Sequence, residues 1–256
     1  MKTNGDSDKN SLECCEKKLQ KEKKDANNAL FIARDILAQN LINNLTIAER
    51  GEHPDFLRYP NAARRGEEWF RNRLLWLRTI PLEKDISFMI THSETAVYYE
   101  GSKGKRSADL LGIWHSGGNT KLGVIELKAG KNGDHVLYAI LEGLRNLHLH
   151  RKAIGRLRSG WTTTLNQRHH VDSEKAFWSR VWNSGNPFPS NLKNSHLIII
   201  GDSSWIKMQE DWKRQAKIII KKIKEIFNYE TSIYSLNDKA KSNSKPYVLL
   251  PLVKWL

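Results

Sequence analysis

Apolar residues recur at helical spacing in two stretches of the first eighty positions. In residues 29–49, and again in residues 62–78, they return every three or four positions with polar residues between them. Both stretches predict amphipathic helices, and residues 51–60, which hold two prolines, predict the break between them. Residues 1–27 are instead polar and dense in charge, which predicts a disordered or loosely helical tail.

Further along the chain, short runs of apolar and β-branched residues predict strands. The predicted strands are residues 86–91, 96–100, 109–114, 122–128, 197–200, 231–236 and 247–253. Two more helices are predicted, one capped by Asp134 and running to residue 154, the other over residues 205–227. The run at 197–200 is apolar throughout, which indicates a central strand buried on both faces.

This order of elements predicts an α/β fold with one main domain. The chain divides into the tail at residues 1–27, a packing helix and linker at residues 28–60, and a domain over residues 61–256. Residues 156–194 of that domain lack a clear period and combine tryptophans with basic residues. They are predicted to form an aromatic and basic insertion.

The candidate chemistry lies in a hairpin near the middle of the chain. A turn centred on Gly117 and Gly118 places Asp109 opposite Glu126 on the returning strand. Because strand side chains alternate between faces, Lys128 points to the same side as these two carboxylates. Facing carboxylates repel unless positive charge lies between them, and a divalent metal and a lysine would supply it. An ordinary surface hairpin with solvated partners is the alternative.

An aspartate at the start of one strand, followed by Glu-x-Lys on the next, resembles the core of the PD-(D/E)xK nucleases. One position departs from the family pattern, because Ala108 stands where the family often has proline. The resemblance implies a restriction-endonuclease-like αβββαβα core, a mixed central sheet flanked by helices. It implies that Asp109 and Glu126 bind Mg²⁺ or Mn²⁺ and that Lys128 positions or polarises the attacking water. The implied activity is endonucleolytic hydrolysis of DNA, with double-stranded DNA as the expected substrate.

Two helices could add residues to that site. The resemblance implies an acidic residue on the helix before the first strand, and Glu67 and Glu68 lie there. An ion pair with a nearby arginine is the alternative for each. Some relatives carry Gln-x-x-x-Tyr on the crossover helix, where only Tyr138 matches. His135 and Tyr138 are therefore candidates for substrate contact, although capping and packing would explain them without chemistry.

The charge balance favours a polyanionic partner. The chain holds 42 Lys and Arg against 28 Asp and Glu, a net charge of +14, and basic residues bind nucleic acids by neutralising phosphates. The candidate nucleic-acid-binding residues, which lie in a glycine-rich loop, after the Glu-x-Lys motif and along the crossover helix, are Lys103, Lys105, Arg106, Lys131, Arg151, Lys152, Arg156 and Arg158.

Other classes of protein fit less well. No apolar run approaches the ~20 residues of a membrane span and no signal-peptide pattern opens the chain, so no membrane is expected and a cytoplasmic or nucleoid-associated protein is. Cys14 and Cys15 are the only cysteines, too few for a disulfide framework or a cysteine-ligated iron–sulfur cluster. Two alternatives stay open: a non-catalytic basic nucleic-acid-binding protein, and a subunit of a larger DNA-processing assembly. A homodimer or a partner protein is compatible with either.

Overall fold

The computed structural model describes residues 11–53, 66–77, 79–100, 106–130, 134–167, 188–189, 192, 194–236 and 252–256. The helices are α1 (Leu12–Lys21), α2 (Ala26–Ala38), α3 (Gly66–Leu77), α4 (Val136–Gln167), α5 (Ser203–Met208) and α6 (Lys213–Phe227). The strands are β1 (Ile47–His53), β2 (Thr79–Glu83), β3 (Ile86–Tyr99), β4 (Arg106–Ser116), β5 (Asn119–Lys128), β6 (His196–Asp202), β7 (Glu230–Leu236) and β8 (Leu252–Lys254).

These eight strands form one mixed sheet in the order β1-β3-β4-β5-β6-β7-β8, with β2 pairing to the first half of β3. The β3, β4 and β5 strands are antiparallel neighbours, whereas β5, β6 and β7 run parallel to one another. Parallel neighbours need long crossovers, and α4 and α6 lie in the two connections. The predicted α/β class with a mixed sheet flanked by helices is confirmed.

The sheet separates two hydrophobic clusters. Helices α1, α2, α4 and α6 pack on one face through buried side chains such as Leu37, Leu144 and Ile219. Helix α3 covers the other face, where Phe70 joins a cluster that includes Ile80 of β2. The strand at the centre, β6, is buried over nearly its whole length, as its apolar sequence predicts.

The described part of the segment predicted as a disordered or loosely helical tail, residues 1–27, is helical, but it packs into the core instead of lying in solvent. Ser11 caps α1, and Leu12, Cys15 and Leu19 on that helix are buried in the main cluster. These three side chains form a stripe at spacings of three and four, the pattern of one buried helix face. The stripe is short and lies among many charged residues. The polar composition of the segment therefore predicted a tail and not a packed helix.

Several element boundaries also differ from the prediction. Helix α2 ends at Ala38, well before residue 49, and Asn40 follows with a left-handed φ of +54°. The two strands predicted at 86–91 and 96–100 are one strand, β3, which continues through a bulge near Thr91. Strand β2 is an addition that the apolar pattern did not predict.

Two helices were bounded wrongly. Helix α4 extends to Gln167 and so occupies the first part of the segment predicted as an insertion, while residues 168–187 lie outside the described residues. The helix predicted over 205–227 is interrupted, because a 3₁₀ turn at Glu210–Trp212 separates α5 from α6.

Candidate active site at the carboxyl end of β5

The central hairpin has the predicted register. Leu110 pairs with Ile125 and Ser116 pairs with Asn119 across β4 and β5. The two turn glycines have φ values of +52° and +81°, the left-handed conformation that a tight type I′ turn needs at both positions. The next residues along this register are Asp109 on β4 and the glutamate of β5.

Beyond Leu110 the two strands part, and the side chain of Asp109 fills the gap. Its Oδ2 accepts a hydrogen bond of 2.7 Å from the backbone N–H of Leu127. Glu126 and Lys128 alternate with Leu127, whose side chain packs in the α3 cluster on the opposite face. Glu126 and Lys128 therefore share the face covered by α4, as the alternation predicts, whereas Asp109 lies between the separated strands on the Leu127 N–H.

Both carboxyl groups are difficult to ionise. Burial raises the pKa of Asp109 to about 6, although the Leu127 N–H works against the rise. Burial also raises the pKa of Glu126 well above its usual value, and the nearby charges of Asp109 and Glu142 raise it further. Two acids in one poorly solvated pocket cannot both carry charge cheaply without a cation.

Lys128 is held by acids on α4 and on the loop before it. Its Nζ donates to Glu142 Oε2 at 2.9 Å and lies 3.6 Å from Asp134 Oδ2. Burial alone would lower the pKa of this lysine, but the negative charges of Glu142 and Glu126 outweigh burial and raise it. Lys128 therefore stays protonated throughout the physiological range.

The α4 helix supplies two site residues that sequence reasoning missed. Asn146 Nδ2 donates to Glu126 Oε1 at 2.7 Å and to the backbone oxygen of Ser107 at 3.0 Å. Glu142, one turn earlier, binds the lysine. Gly143 lies between them, and a Cβ there would meet Glu126 Cγ at 2.8 Å. Four-residue spacing on a helix that follows the Glu-x-Lys strand is the signal that could have identified Glu142 and Asn146.

Helix α3 reaches the same place from the other face of the sheet. Burial raises the pKa of Glu67, while the charge of Lys128 and a hydrogen bond from the Ala129 N–H lower it, which places this carboxylate beside the site. Glu68 is exposed. Arg71, one turn on, was also missed: its Nη1 binds Glu94 at 2.8 Å and lies 4.0 Å from Asp109 Oδ1.

The start of α4 differs from the prediction. Asp134 does not cap the helix, because the first free N–H, that of Val136, donates to Gln209 Oε1 at 2.9 Å. The N–H of Tyr138 donates to His135 Nδ1 at 3.3 Å. Asp134 is thereby free of a capping role and turns towards the lysine.

The two α4 residues considered for substrate contact have different surroundings. His135 is buried, stacks on Trp212 with ring centroids 4.5 Å apart, and has its Nε2 2.8 Å from the backbone oxygen of Leu19. It holds helices together. Tyr138 lines a cavity of about 290 Å³ next to Glu142, so its ring lies close to the site.

Two of the predicted nucleic-acid-binding residues make contacts within the protein. Arg151 donates to the Tyr229 hydroxyl at 2.8 Å and its guanidinium lies 5.3 Å from the centre of that ring. Lys152 donates to the backbone oxygens of Asn43 and Leu45 at 3.1 and 2.6 Å. Both side chains anchor α4 to its neighbours. These contacts explain the two residues without a role in DNA binding.

Of the other six predicted nucleic-acid-binding residues, only Arg156 has a described side chain. Arg156 is exposed on α4. Arg106 begins β4 and Arg158 lies within α4, but their side chains are outside the described residues, as are Lys103, Lys105 and Lys131 altogether.

The donor set of this site fits a divalent cation. Asp109 and Glu126 offer hard carboxylate oxygens. Their raised pKa values indicate that ionising both groups in this pocket is unfavourable unless a cation compensates the charge. Mg²⁺ uses one or two carboxylates and keeps several waters. In the described part of the chain no three His, Cys, Asp or Glu side chains converge to hold a metal. The fit therefore rests on these two carboxylates with water or substrate oxygens.

No family model matches the chain, and no curated protein or solved structure matches it either. Across the helices of the described residues, none combines the length and the apolar character needed to cross a membrane.

Proposed function

We propose that this protein is a metal-dependent DNA endonuclease that hydrolyses phosphodiester bonds. The observation that carries the proposal is one cluster where the start of β4 lies beside the end of β5. It combines two carboxylates of raised pKa, Asp109 and Glu126, with the ammonium group of Lys128. Strongly perturbed, closely coupled acids beside a lysine are typical of catalytic sites rather than of surface hairpins.

The order of elements supports a restriction-endonuclease-like core. Helix α3 precedes the antiparallel strands β3, β4 and β5, and α4 crosses over to the parallel strand β6. Helix α6 then follows. Apart from the extra strand β2 and the short helix α5, this order agrees with the αβββαβα order implied by the resemblance to the PD-(D/E)xK nucleases, which supports the proposal.

Each residue has a distinct role in the proposal. Asp109 and Glu126 would hold Mg²⁺ or Mn²⁺, and the metal would supply Lewis-acid stabilisation of the charge on the phosphoryl group. Lys128, kept protonated by Glu142, orients the attacking water and neutralises the charge that develops on the phosphate. Glu67 stands beside them as a further acid.

The net charge of +14 supports DNA as the substrate. Affinity for a polyanion comes from many basic residues spread over a surface, each releasing counterions from a phosphate. The exposed side of α6 contributes Lys217 and Lys221 to such a surface. Binding should therefore survive changes in the catalytic cluster.

The test is incubation of the purified protein with supercoiled plasmid in Mg²⁺, in Mn²⁺ and in EDTA. Nicking or linearisation that requires metal is expected of the wild type and is expected to be lost in Lys128→Ala. The matched control is Lys121→Ala, on the same strand, where the lysine binds Glu230 at 2.8 Å away from the cluster. Cleavage retained by Lys128→Ala, or cleavage in EDTA, would contradict the proposal.

A second candidate is a nucleic-acid-binding protein that cleaves nothing. The observation that favours it is that Glu142 and Asn146 already satisfy the lysine and Glu126 through bonds of 2.9 and 2.7 Å. The cluster would then be a structural network. The same plasmid assay separates the two, because a binder gives a salt-sensitive gel shift, needs no metal and leaves the DNA intact.

A further inference from the structure

The N-terminal helix carries a buried ion pair whose purpose is not evident from packing. Glu16 on α1 and Arg145 on α4 are 4% and 3% exposed. Arg145 Nη1 donates to both carboxylate oxygens of Glu16, at 2.7 and 2.6 Å. A buried ion pair contributes little net stability, because desolvation offsets its attraction. Its position beside the candidate site suggests a different role.

The remaining donors of Arg145 point at the two α4 residues that bind the site. Its Nη2 lies 3.8 Å from Glu142 Oε1, and its Nε and Nη2 each bind Asn146 Oδ1 at 3.3 Å. Glu142 in turn holds Lys128, and Asn146 holds Glu126. One guanidinium thus contacts both supports of the catalytic cluster.

A second contact from α1 converges on the same lysine. Gln20, one turn after Glu16, donates from Nε2 to Asp134 Oδ1 at 3.3 Å. The other oxygen of Asp134 lies 3.6 Å from Lys128 Nζ. Both acids near Lys128 are therefore connected to α1. Asp134 contacts Gln20 of α1, and Glu142 lies near Arg145, which binds Glu16 of α1.

We propose that Glu16 and Arg145 are positioning residues, through which α1 fixes Glu142 and Asn146 and so orients Lys128 and Glu126 for cleavage. The inference rests on the proposed function. Its physical basis is competition for charge. While Glu16 neutralises Arg145, Glu142 keeps its short bond to the lysine; without Glu16, Arg145 draws Glu142 towards itself and loosens that bond.

The first test is turnover in Glu16→Gln, which keeps the side-chain size but removes the charge, and in Arg145→Lys, which keeps the charge but loses the planar set of donors. Support residues around a metal site typically change activity by about 10- to 100-fold. We expect kcat to fall by that amount, with KM for DNA within about twofold because the basic surface is intact. Glu225→Gln, the same change at an exposed pair with Lys221 on α6, is the control and should leave kcat unchanged. Unchanged kcat in Glu16→Gln would overturn the proposal.

Exchange of the two charges distinguishes positioning from tethering. The double variant Glu16→Arg with Arg145→Glu rebuilds an ion pair between α1 and α4. If the pair only tethers the helix, the exchange restores both the melting temperature and kcat. If Arg145 positions Glu142, the exchange restores stability relative to either single variant but not kcat, because a carboxylate then faces Glu142. Recovery of kcat contradicts the proposal.

A measurement that needs no activity keeps the inference separate from the proposed function. The contacts described above link Glu16 to Lys128 through Arg145 and Glu142, so Glu16→Gln and Lys128→Met should shift the urea unfolding midpoint additively unless this network couples them. We expect the double variant to depart from the sum, and additivity would overturn the inference. If the wild type fails to cleave DNA with metal, the proposed function fails, whereas this cycle still decides whether the network exists.

Discussion

At the scale of single residues, the site lowers the stability of the fold that carries it. Asp109 and Glu126 are brought together out of water, where each makes the other harder to ionise. Hydrogen bonds of 2.7 Å, from the Leu127 N–H to Asp109 and from Asn146 to Glu126, compensate these carboxyl groups in part, and the charge of Lys128 favours their ionisation. Functional sites commonly retain such unfavourable arrangements, since the interaction with ligand needs them.

The raised pKa of Asp109 determines how the free energy of unfolding changes with pH. Folding raises its pKa from 3.8 to about 6, so the folded protein holds the proton more tightly than the unfolded chain does. Stability is therefore lost as the pH rises between about 4 and 6, and the loss persists above that window. Asp109→Asn removes the ionisation while keeping an acceptor for Leu127.

We expect Asp109→Asn to raise the free energy of unfolding by about 1–3 kcal/mol near pH 8, and the gain to vanish near pH 4. Urea unfolding at both pH values measures it, with Asp85→Asn in the exposed β2–β3 turn as control. Addition of Mg²⁺ should stabilise the wild type but not Asp109→Asn, because only the ionised pair holds the cation. A variant less stable than wild type near pH 8 would show that ionised Asp109 supports the fold.

At the scale of elements, local signals were readable and distant ones were not. The hairpin register follows from a two-glycine turn and side-chain alternation, both contained within twenty residues, and it was predicted. Glu142 and Asn146 on α4, and Arg71 on α3, instead reach the site from helices and not from within the hairpin. Four-residue spacing places Glu142 and Asn146 on one helix face, but it does not show that this face meets β5, and no local pattern marks Arg71, so all three were missed.

Helix α4 approaches β5 closely because Gly143 has no side chain. A Cβ at this position would meet Leu197 Cδ1 at 2.5 Å and Glu126 Cγ at 2.8 Å. Gly155 on the same helix has nothing within 4 Å of the corresponding point. Gly143 is therefore needed for the close approach of α4 to the sheet, whereas the space around Gly155 would accept a larger residue.

Gly143→Ala should lower the free energy of unfolding by about 1–3 kcal/mol, since the added methyl group forces the helix away from the sheet. It should also lower cleavage, because Asn146 and Glu142 move with the helix. Gly155→Ala is the matched control and should stabilise the protein by about 0.5–1 kcal/mol through helix propensity. Equal effects of the two substitutions on unfolding would refute the close-approach explanation.

At the scale of the whole molecule, the division into tail, linker and domain does not describe residues 11–53. Helices α1 and α2 share one buried cluster with α4, α6 and the sheet. The ion pair of Glu16 and the backbone of Leu19 tie α1 to α4 near the site. A segment that resembles a solvated arm in composition thus forms one side of the candidate site.

Leu19→Ala tests this directly, because a residue of a solvated tail could be truncated at almost no cost. Leu19 is 0% exposed, and truncation of a fully buried leucine typically costs about 2–5 kcal/mol through lost burial and the cavity left behind. We expect a loss of that size in urea unfolding, as a single transition that includes α1. Phe31→Ala on α2 is the control: this side chain is 71% exposed, and its removal should change stability by less than about 0.5 kcal/mol. A loss of stability for Leu19→Ala no larger than for Phe31→Ala would show that α1 does not pack as part of the core. The proposed positioning of Lys128 through α1 would then lose its structural basis.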